Sequence, residues 1–374
     1  MDPQPPPPRP RPLSPGEAVP WFRAKAIGGS DNYVFDTTAG RYILILFFGR
    51  AGDAAAAGAL ACVERHRALF DDRGACFFGV TSDPEDEAAG RVAQRLPGIR
   101  FFLDRDRRLA DLFGASASEE EGGEAGASGR PHWLLVDPML RAVGAFPIEA
   151  GEAAVGALAK AMAHMPLPDW APVLMAPNIL ETALCERLIA HHRETGGEPS
   201  GFMREVDGKT VLITDPSHKM RRDREVSDET LCGILRARIH ARLVPMVKRS
   251  FQFQATRMER YIVGAYPAGE GHFRPHRDNT TKGTAHRRFA VTINLNAGGY
   301  DGGDLRFPEF GARTYRAPTG GAVVFSCSLL HEATPVTRGT RYAFLPFLYD
   351  DEAARLREEN NPHLGEGVGA YRAK

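Results

Sequence analysis

The sequence has no CxxC pair, no long apolar run and no net charge, and each absence closes a class of function. Its five cysteines are scattered as Cys62, Cys76, Cys185, Cys232 and Cys327. An odd, dispersed set is neither a disulfide framework nor a thiolate zinc motif; it fits a reducing cytoplasm, which is the expected location. The longest apolar run, "YILILFF" (42–48), is far shorter than the roughly 20 residues a membrane helix needs. It reads as a buried strand, and no membrane association is expected. Lys plus Arg (47) equals Asp plus Glu (47), so no global field gathers nucleic acid. The local basic run "HKMRRDR" (218–224) reads as a solvated face or a small-anion contact. The opening stretch lacks the apolar h-region of a secretory signal, and residues 1–15 read as a disordered, proline-rich tail.

What is present is an ordinary globular composition, 43% hydrophobic and 25% charged over 374 residues, a length that favours two domains. Residues 16–165 alternate strand and helix signals: "RYILILFFGR", a helical stretch over 53–72, "ACFFGVTSDP", a helix over about 84–96, "IRFFLDRD", "LADLFGA", "HWLLVDP", "RAVGAFPI" and a helix near 150–164. Alternation of this kind predicts a largely parallel sheet covered by helices. The acidic insert 116–129 reads as a mobile loop, and "MPLPDWAP" (165–172) as a seam. Beyond it, helices are expected over about 179–193 and 228–248, the second capped by Ser227 and carrying a core stripe of Leu231, Leu235, Ile239 and Leu243. From about 255 the signal changes to short strands between Gly- and Pro-rich turns, as in "RFAVTINLN", which predicts an all-β sandwich or jelly roll over 170–352 and a tail over 353–374.

The chemistry concentrates in "GHFRPHRDN" (271–279). Residues i and i+2 of a strand share a face, so His276 and Asp278 can reach one ion while Arg277 cannot. A third ligand has to come from elsewhere, and His331 in "LLHEATPV", after the apolar strand 320–326, is the candidate. Two histidines and a carboxylate leave one face of a metal open and suit non-haem Fe(II). His272 shares the parity of His276 but lies four residues upstream, about 13 Å along a strand, and is set aside; His286 is expected to be exposed. Arg341 begins a strand with Ala343, Leu345 and Phe347 on its side and no acidic residue beside it. An inward arginine without an acid needs an anionic ligand, and a carboxylate fits its planar fork.

Taken together, "YPAGEGHFRPHRDN", "RRFAVTINLN", "GGDLRFPE", "PTGGAVVFS" and "HEATPVTRGTRY" resemble, in order and spacing, the 2-oxoglutarate- and Fe(II)-dependent dioxygenases of the prolyl-4-hydroxylase-like type. The resemblance covers about residues 170–350 and implies a double-stranded β-helix. It makes His276, Asp278 and His331 the iron ligands, Arg341 the partner of the distal 2-oxoglutarate carboxylate, and Tyr266 a hydrogen-bonding partner of that cosubstrate. Thr292 and Asn294 lie on a polar strand face that either lines the pocket or meets solvent. Fe(II), 2-oxoglutarate and O2 are implied, with ascorbate as a reductant. The implied reaction couples decarboxylation of 2-oxoglutarate to succinate with hydroxylation, since an Asp at position 278 stands where related halogenases keep a small residue. The leading expectation is a peptidyl or protein side-chain substrate of proline type. A free amino acid or small metabolite is the alternative, and a non-catalytic iron- or oxygen-responsive binding protein is the reading from another class.

In the first half, "PGEAVPWF", "GRYILILFFGR", "GVTSDPEDEA", "FFLDRDRRLADLFGA" and "RPHWLLVDPMLRAVG" resemble the thioredoxin-fold peroxiredoxins. Aligned on that family, the peroxidatic cysteine falls at Ala56, its threonine at Asp53 and its proline at Gly49, while Arg130 matches the active-site arginine. Without a thiolate there is no nucleophile, and Cys62, on the following helix, is expected to be a buried structural thiol. The half is expected to dock partners, recruit substrate or form a homodimer, which either half could mediate.

Overall fold

The computed structural model describes residues 11–116, 130–164 and 170–372. Residues 1–10 of the expected tail, 117–129 of the acidic insert and 165–169 of the proline seam lie outside the described residues. The chain divides into two compact units, Met1–Pro168 with Glu309–Gly311, and Asp169–Pro308 with Ala312–Lys374. No helix among the described residues is long and apolar enough to cross a membrane.

The first unit is built on a five-stranded sheet. Strand β1 (Tyr42–Gly49) precedes α1 (Ala54–Arg65) in sequence and lies between two strands of the sheet. It is apolar at successive positions because both its faces are covered. It pairs parallel with β2 (Ala75–Thr81), which pairs parallel with β3 (Ile99–Leu103). On its other edge it pairs antiparallel with β4 (His132–Val136), which hairpins into β5 (Ala142–Pro147). The sheet is therefore mixed, not largely parallel. The β4–β5 connection is held by the Asp137 carboxylate, which accepts from the Met139 and Arg141 amides at 2.9 Å each, and is far too short for a crossover. The helix expected over 84–96 is one short turn, Pro84–Ala88, capped by Asp83 and followed by Gly90 at φ +64°. Leu13, in the stretch read as a disordered tail, is 1% exposed.

In the second unit, a helical layer covers one face of a sheet. Helix α2 (Thr182–Thr195) leads, then α3 (Glu229–Arg238), a π-turn over Ile239–Leu243, and α4 (Val244–Phe251). The single helix expected over 228–248 is interrupted because Pro245 has no N–H to donate to the preceding turn. Its cap is Asp228, whose Oδ1 accepts from the Leu231 amide at 2.7 Å; Ser227 is not the cap. The stripe Leu231, Leu235, Ile239 and Leu243 is buried with Val263, Val291, Ile293, Val324 and Phe344 of the sheet.

Two antiparallel sheets follow. In chain order their strands include β6 (Lys219–Met220), β7 (Arg222–Glu225), β8 (Arg257–Glu259), β9 (Ile262–Pro267), β10 (His272–His276), β11 (Phe289–Asn294), β12 (Leu305–Arg306), β13 (Thr314–Tyr315), β14 (Ala322–Ser326), β15 (His331–Ala333), β16 (Val336–Phe344) and β17 (Phe347–Tyr349). The larger sheet runs β8–β17–β11–β16–β9–β7, with β14 on β11, and the smaller runs β6–β10–β15–β12–β13. Strand period two sends Val291, Ile293, Tyr342 and Phe344 to the helices and leaves Ala290, Thr292, Asn294 and Arg341 on the opposite face. The stretch read as a tail over 353–374 instead holds a helix, Asp351–Glu359, whose Arg357 pairs with Glu259 at 2.9 Å.

Candidate active site

His276 ends β10 directly opposite His331, which starts β15, and Asp278 lies two residues past His276. The Nε2 of His276 is 3.6 Å from one Asp278 carboxylate oxygen, and the Nε2 of His331 is 3.3 Å from the other. One ligand atom from each of the three lies within 4.8 Å of the others. Both imidazoles place Nδ1 on a backbone carbonyl, His276 on Arg274 at 2.8 Å and His331 on Leu329 at 3.0 Å. That contact fixes the tautomer and turns both Nε2 lone pairs toward Asp278. Phe273 stacks on the His276 ring at 3.4 Å and Phe325 meets His331 at 4.5 Å. Burial, then the neighbouring His331, pushes the His276 pKa down to about 4. Burial alone would raise the Asp278 carboxyl, but the two histidines hold it well below the usual range. A neutral imidazole beside an ionised carboxylate is the ligating state of this donor set.

These groups line a cavity walled by both sheets, together with Tyr266, Thr292, Arg221, Arg260 and Arg341 and an apolar rim that includes Leu305, Phe325 and Phe347. Arg341 is 2% exposed, yet its Nε and Nη1 have no hydrogen-bond partner among the described residues. A buried guanidinium left in that state is a strong call for an anion. Tyr266 lies opposite it in register, with the Arg341 guanidinium 4.9 Å from its ring. The Tyr266 hydroxyl accepts from Arg221 Nη1 at 3.2 Å.

Other residues of the sequence reading fall differently. Thr292 lines the cavity, but Asn294 does not: its amide donates to the Ala317 carbonyl at 2.8 Å and closes the strand end. The polar face they share is buried, not solvent-facing. His272 bonds to the carbonyls of Glu270 and Ser217 and stands outside the ligand cluster. His286, expected to be exposed, is 1% exposed, with Nε2 at 3.1 Å from Glu259. Burial would raise the Glu259 carboxyl, but Arg287, His286 and Arg357 hold it below its usual range.

The basic run 218–224 is not a solvated face, since Lys219 and Arg221 are 4% and 5% exposed. The chain passes here from β6 in one sheet to β7 in the other, and Arg221 sits at the crossing. Its guanidinium grips Asp223 through Nε at 2.5 Å and Nη2 at 2.7 Å. Lys219 donates to the Gly201 carbonyl at 2.6 Å.

In the first unit, Ala56 and Asp53 stand at the start of α1, with Asp53 as the cap residue, and Arg130 offers its carbonyl to His132 Nδ1 at 2.9 Å. Cys62 is buried, 3.5 Å from Glu152, whose carboxylate also takes Arg65 at 2.7 Å and His66 at 2.8 Å. Burial and the Glu152 contact push its thiol pKa up, away from the thiolate a nucleophile needs.

Residues 258–349 match the sequence model of the 2OG-Fe(II) oxygenase superfamily. The chain is 25% identical over 198 residues to a PKHD-type hydroxylase of Verminephrobacter eiseniae, covering 50% of this chain and 79% of the relative. Among solved structures it is similar to a prolyl hydroxylase from Trichoplax adhaerens in complex with a hypoxia inducible factor oxygen degradation domain peptide, at 16% identity and a TM-score of 0.37, over 50% of this chain and 86% of that one. It is also similar to the bacterioferritin comigratory protein of Xanthomonas campestris, at 20% identity and a TM-score of 0.34, over 41% of this chain and 97% of that one.

Proposed function

We propose that this 2-oxoglutarate- and Fe(II)-dependent dioxygenase, whose residues 258–349 match the oxygenase superfamily, hydroxylates an unactivated C–H bond on a peptidyl or protein side chain of proline type. The observation that carries the reading is the pairing, in one cavity, of the His276–Asp278–His331 set with the buried guanidinium of Arg341, whose Nε and Nη1 have no partner among the described residues. The donor set suits Fe(II); bound there with 2-oxoglutarate, it supplies the activation of O2 and the oxidising equivalents released by decarboxylation to succinate. The chain's own groups bind and orient. Arg341 clamps the distal carboxylate of 2-oxoglutarate, Tyr266 hydrogen-bonds it, and Thr292 borders the pocket. Leu305, Phe325 and Phe347 keep water from the reacting centre. The fold readings that go with this function are a double-stranded β-helix for the second unit and a thioredoxin-like sandwich for the first. The first unit serves as a docking or recruiting platform and not as a peroxidase, in a cytoplasmic protein for which ascorbate is the reductant.

Anaerobic loading with Fe(II) and 2-oxoglutarate, O2 exposure and quantification of succinate test the reading. Succinate release, raised by prolyl peptides and abolished in His331→Ala, is the expected result. Turnover unchanged in His331→Ala removes it.

A further inference from the structure

Arg260 is the cavity's third arginine, beside Arg221 and Arg341. It joins β8 to β9 at φ +65°, a backbone region that glycine occupies freely and a long side chain does not. A residue kept there at that cost points to a use for its side chain. Its guanidinium lies 5.6 Å from the Phe347 ring at the cavity wall. Its ion pair among the described residues is with Asp223, at 3.5 Å, on an oxygen that already takes Arg221 at 2.7 Å and the Ser200 hydroxyl at 2.5 Å. Two guanidinium groups therefore share one carboxylate, with the buried Lys219 close by, so Asp223 alone does not neutralise Arg260. Glu259, the adjacent acid, is taken by Arg287, His286 and Arg357. Among the lining residues the only acid is Asp278, which faces the two histidines. Burial, then Arg221 and Arg287, brings the Arg260 pKa down to about 10, with Asp223 and Glu259 compensating only in part.

We propose that Arg260 binds a carboxylate of the substrate, so that the pocket takes a second acid besides 2-oxoglutarate. The inference rests on the reading above, in which Arg341 and the metal account for both ends of the cosubstrate. An anion matches this cationic wall, and a flat carboxylate matches the fork of a guanidinium over an aromatic ring. The carboxylate belongs either to a free acid or to an acidic side chain next to the target residue.

The test is succinate release by the full chain loaded with Fe(II) and 2-oxoglutarate, driven by matched probes. N-acetyl-L-proline is set against N-acetyl-L-prolinamide, and prolyl peptides with Glu beside the proline against the same peptides with Gln. The first pair reads a free acid, and the second reads a neighbouring side chain. At least one acid probe is expected to exceed its neutral partner in kcat/KM by on the order of tenfold. That ratio falls to within about twofold of unity in Arg260→Gln and is partly kept in Arg260→Lys, as a charge-assisted contact requires. Anaerobic calorimetry of the same probes reads the ratio without turnover, and circular dichroism confirms folding of both variants. Neutral probes equal to the acids, an acid preference undiminished in Arg260→Gln, or no response to any acid probe overturns the proposal. Probe-free succinate release by the wild type reports separately on the dioxygenase reading.

Discussion

Among the described residues, two clusters bring metal-type ligands close together. Cys62, His66 and Glu152 in the first unit, and His276, Asp278 and His331 in the second, each bring three ligand atoms within 4.8 Å. They differ in what else each group touches. Glu152 is exposed and already engaged by Arg65 and His66, and that pairing lowers its pKa to about 2. Cys62 is left as a protonated thiol whose pKa is raised by burial. In the second cluster the spare nitrogen of each imidazole is tied to a carbonyl, both remaining nitrogens converge on one carboxylate, and the buried Arg341, with Nε and Nη1 unsatisfied among the described residues, lines the same cavity. Proximity makes a cluster in both units. Orientation by outer partners, with an unanswered charge nearby, makes a site in only one of them.

The largest expected contrast is in metal affinity. Removing one of three ligands in His331→Ala should weaken Fe(II) or Mn(II) binding by at least about a hundredfold, measured by equilibrium dialysis, while Cys62→Ser leaves the stoichiometry at the wild-type value. Strong metal binding lost in Cys62→Ser would erase the distinction. Next comes the cosubstrate: Arg341→Ala should raise the dissociation constant for 2-oxoglutarate by roughly ten- to a hundredfold, read by calorimetry under anaerobic conditions. Cys62→Ser should not move it.

The two clusters should also respond to pH in opposite directions. The His276 pKa is depressed to about 4, so between about 6.5 and 4 the unfolded chain binds more protons there than the folded one. Stability of the metal-free protein is therefore intact above that window and lost as pH falls through it, with protonation of Asp278 adding to the loss at the acid end. Thermal melts across pH 4–7 should show this fall, reduced in His276→Gln. Alkylation of Cys62, by contrast, should stay slow at pH 7 and accelerate only in alkaline solution, because its thiol is pushed up; rapid labelling at pH 7 would restore a nucleophile to the first unit. The smallest effect belongs to Glu152→Gln. Loss of these exposed pairs should move Tm by no more than about 2 °C.

The same contrast explains what was legible beforehand. His276, Asp278 and His331 could be read because strand parity is local and because both short motifs border apolar strands. Arg341 stood out as an arginine in an apolar strand with no acid beside it. Arg221 was not legible, since its burial depends on a chain crossing between sheets, and Arg260 was not, since its place on the cavity wall depends on a φ that no residue type announces. His286 was misread for a similar reason. Its partner Glu259 lies 27 residues away in the chain (286 − 259), so a charged local context concealed a buried one. In the first unit the strands followed from apolar runs, but the mixed pairing of the sheet depended on a turn held by Asp137, which periodicity does not report.

The most direct measurement is succinate formed on O2 exposure by the Fe(II)- and 2-oxoglutarate-loaded chain, wild type beside His331→Ala and Cys62→Ser. The account predicts release by the wild type, an equal yield from Cys62→Ser and none from His331→Ala. Equal yields from the wild type and His331→Ala, or loss in Cys62→Ser alone, would contradict it.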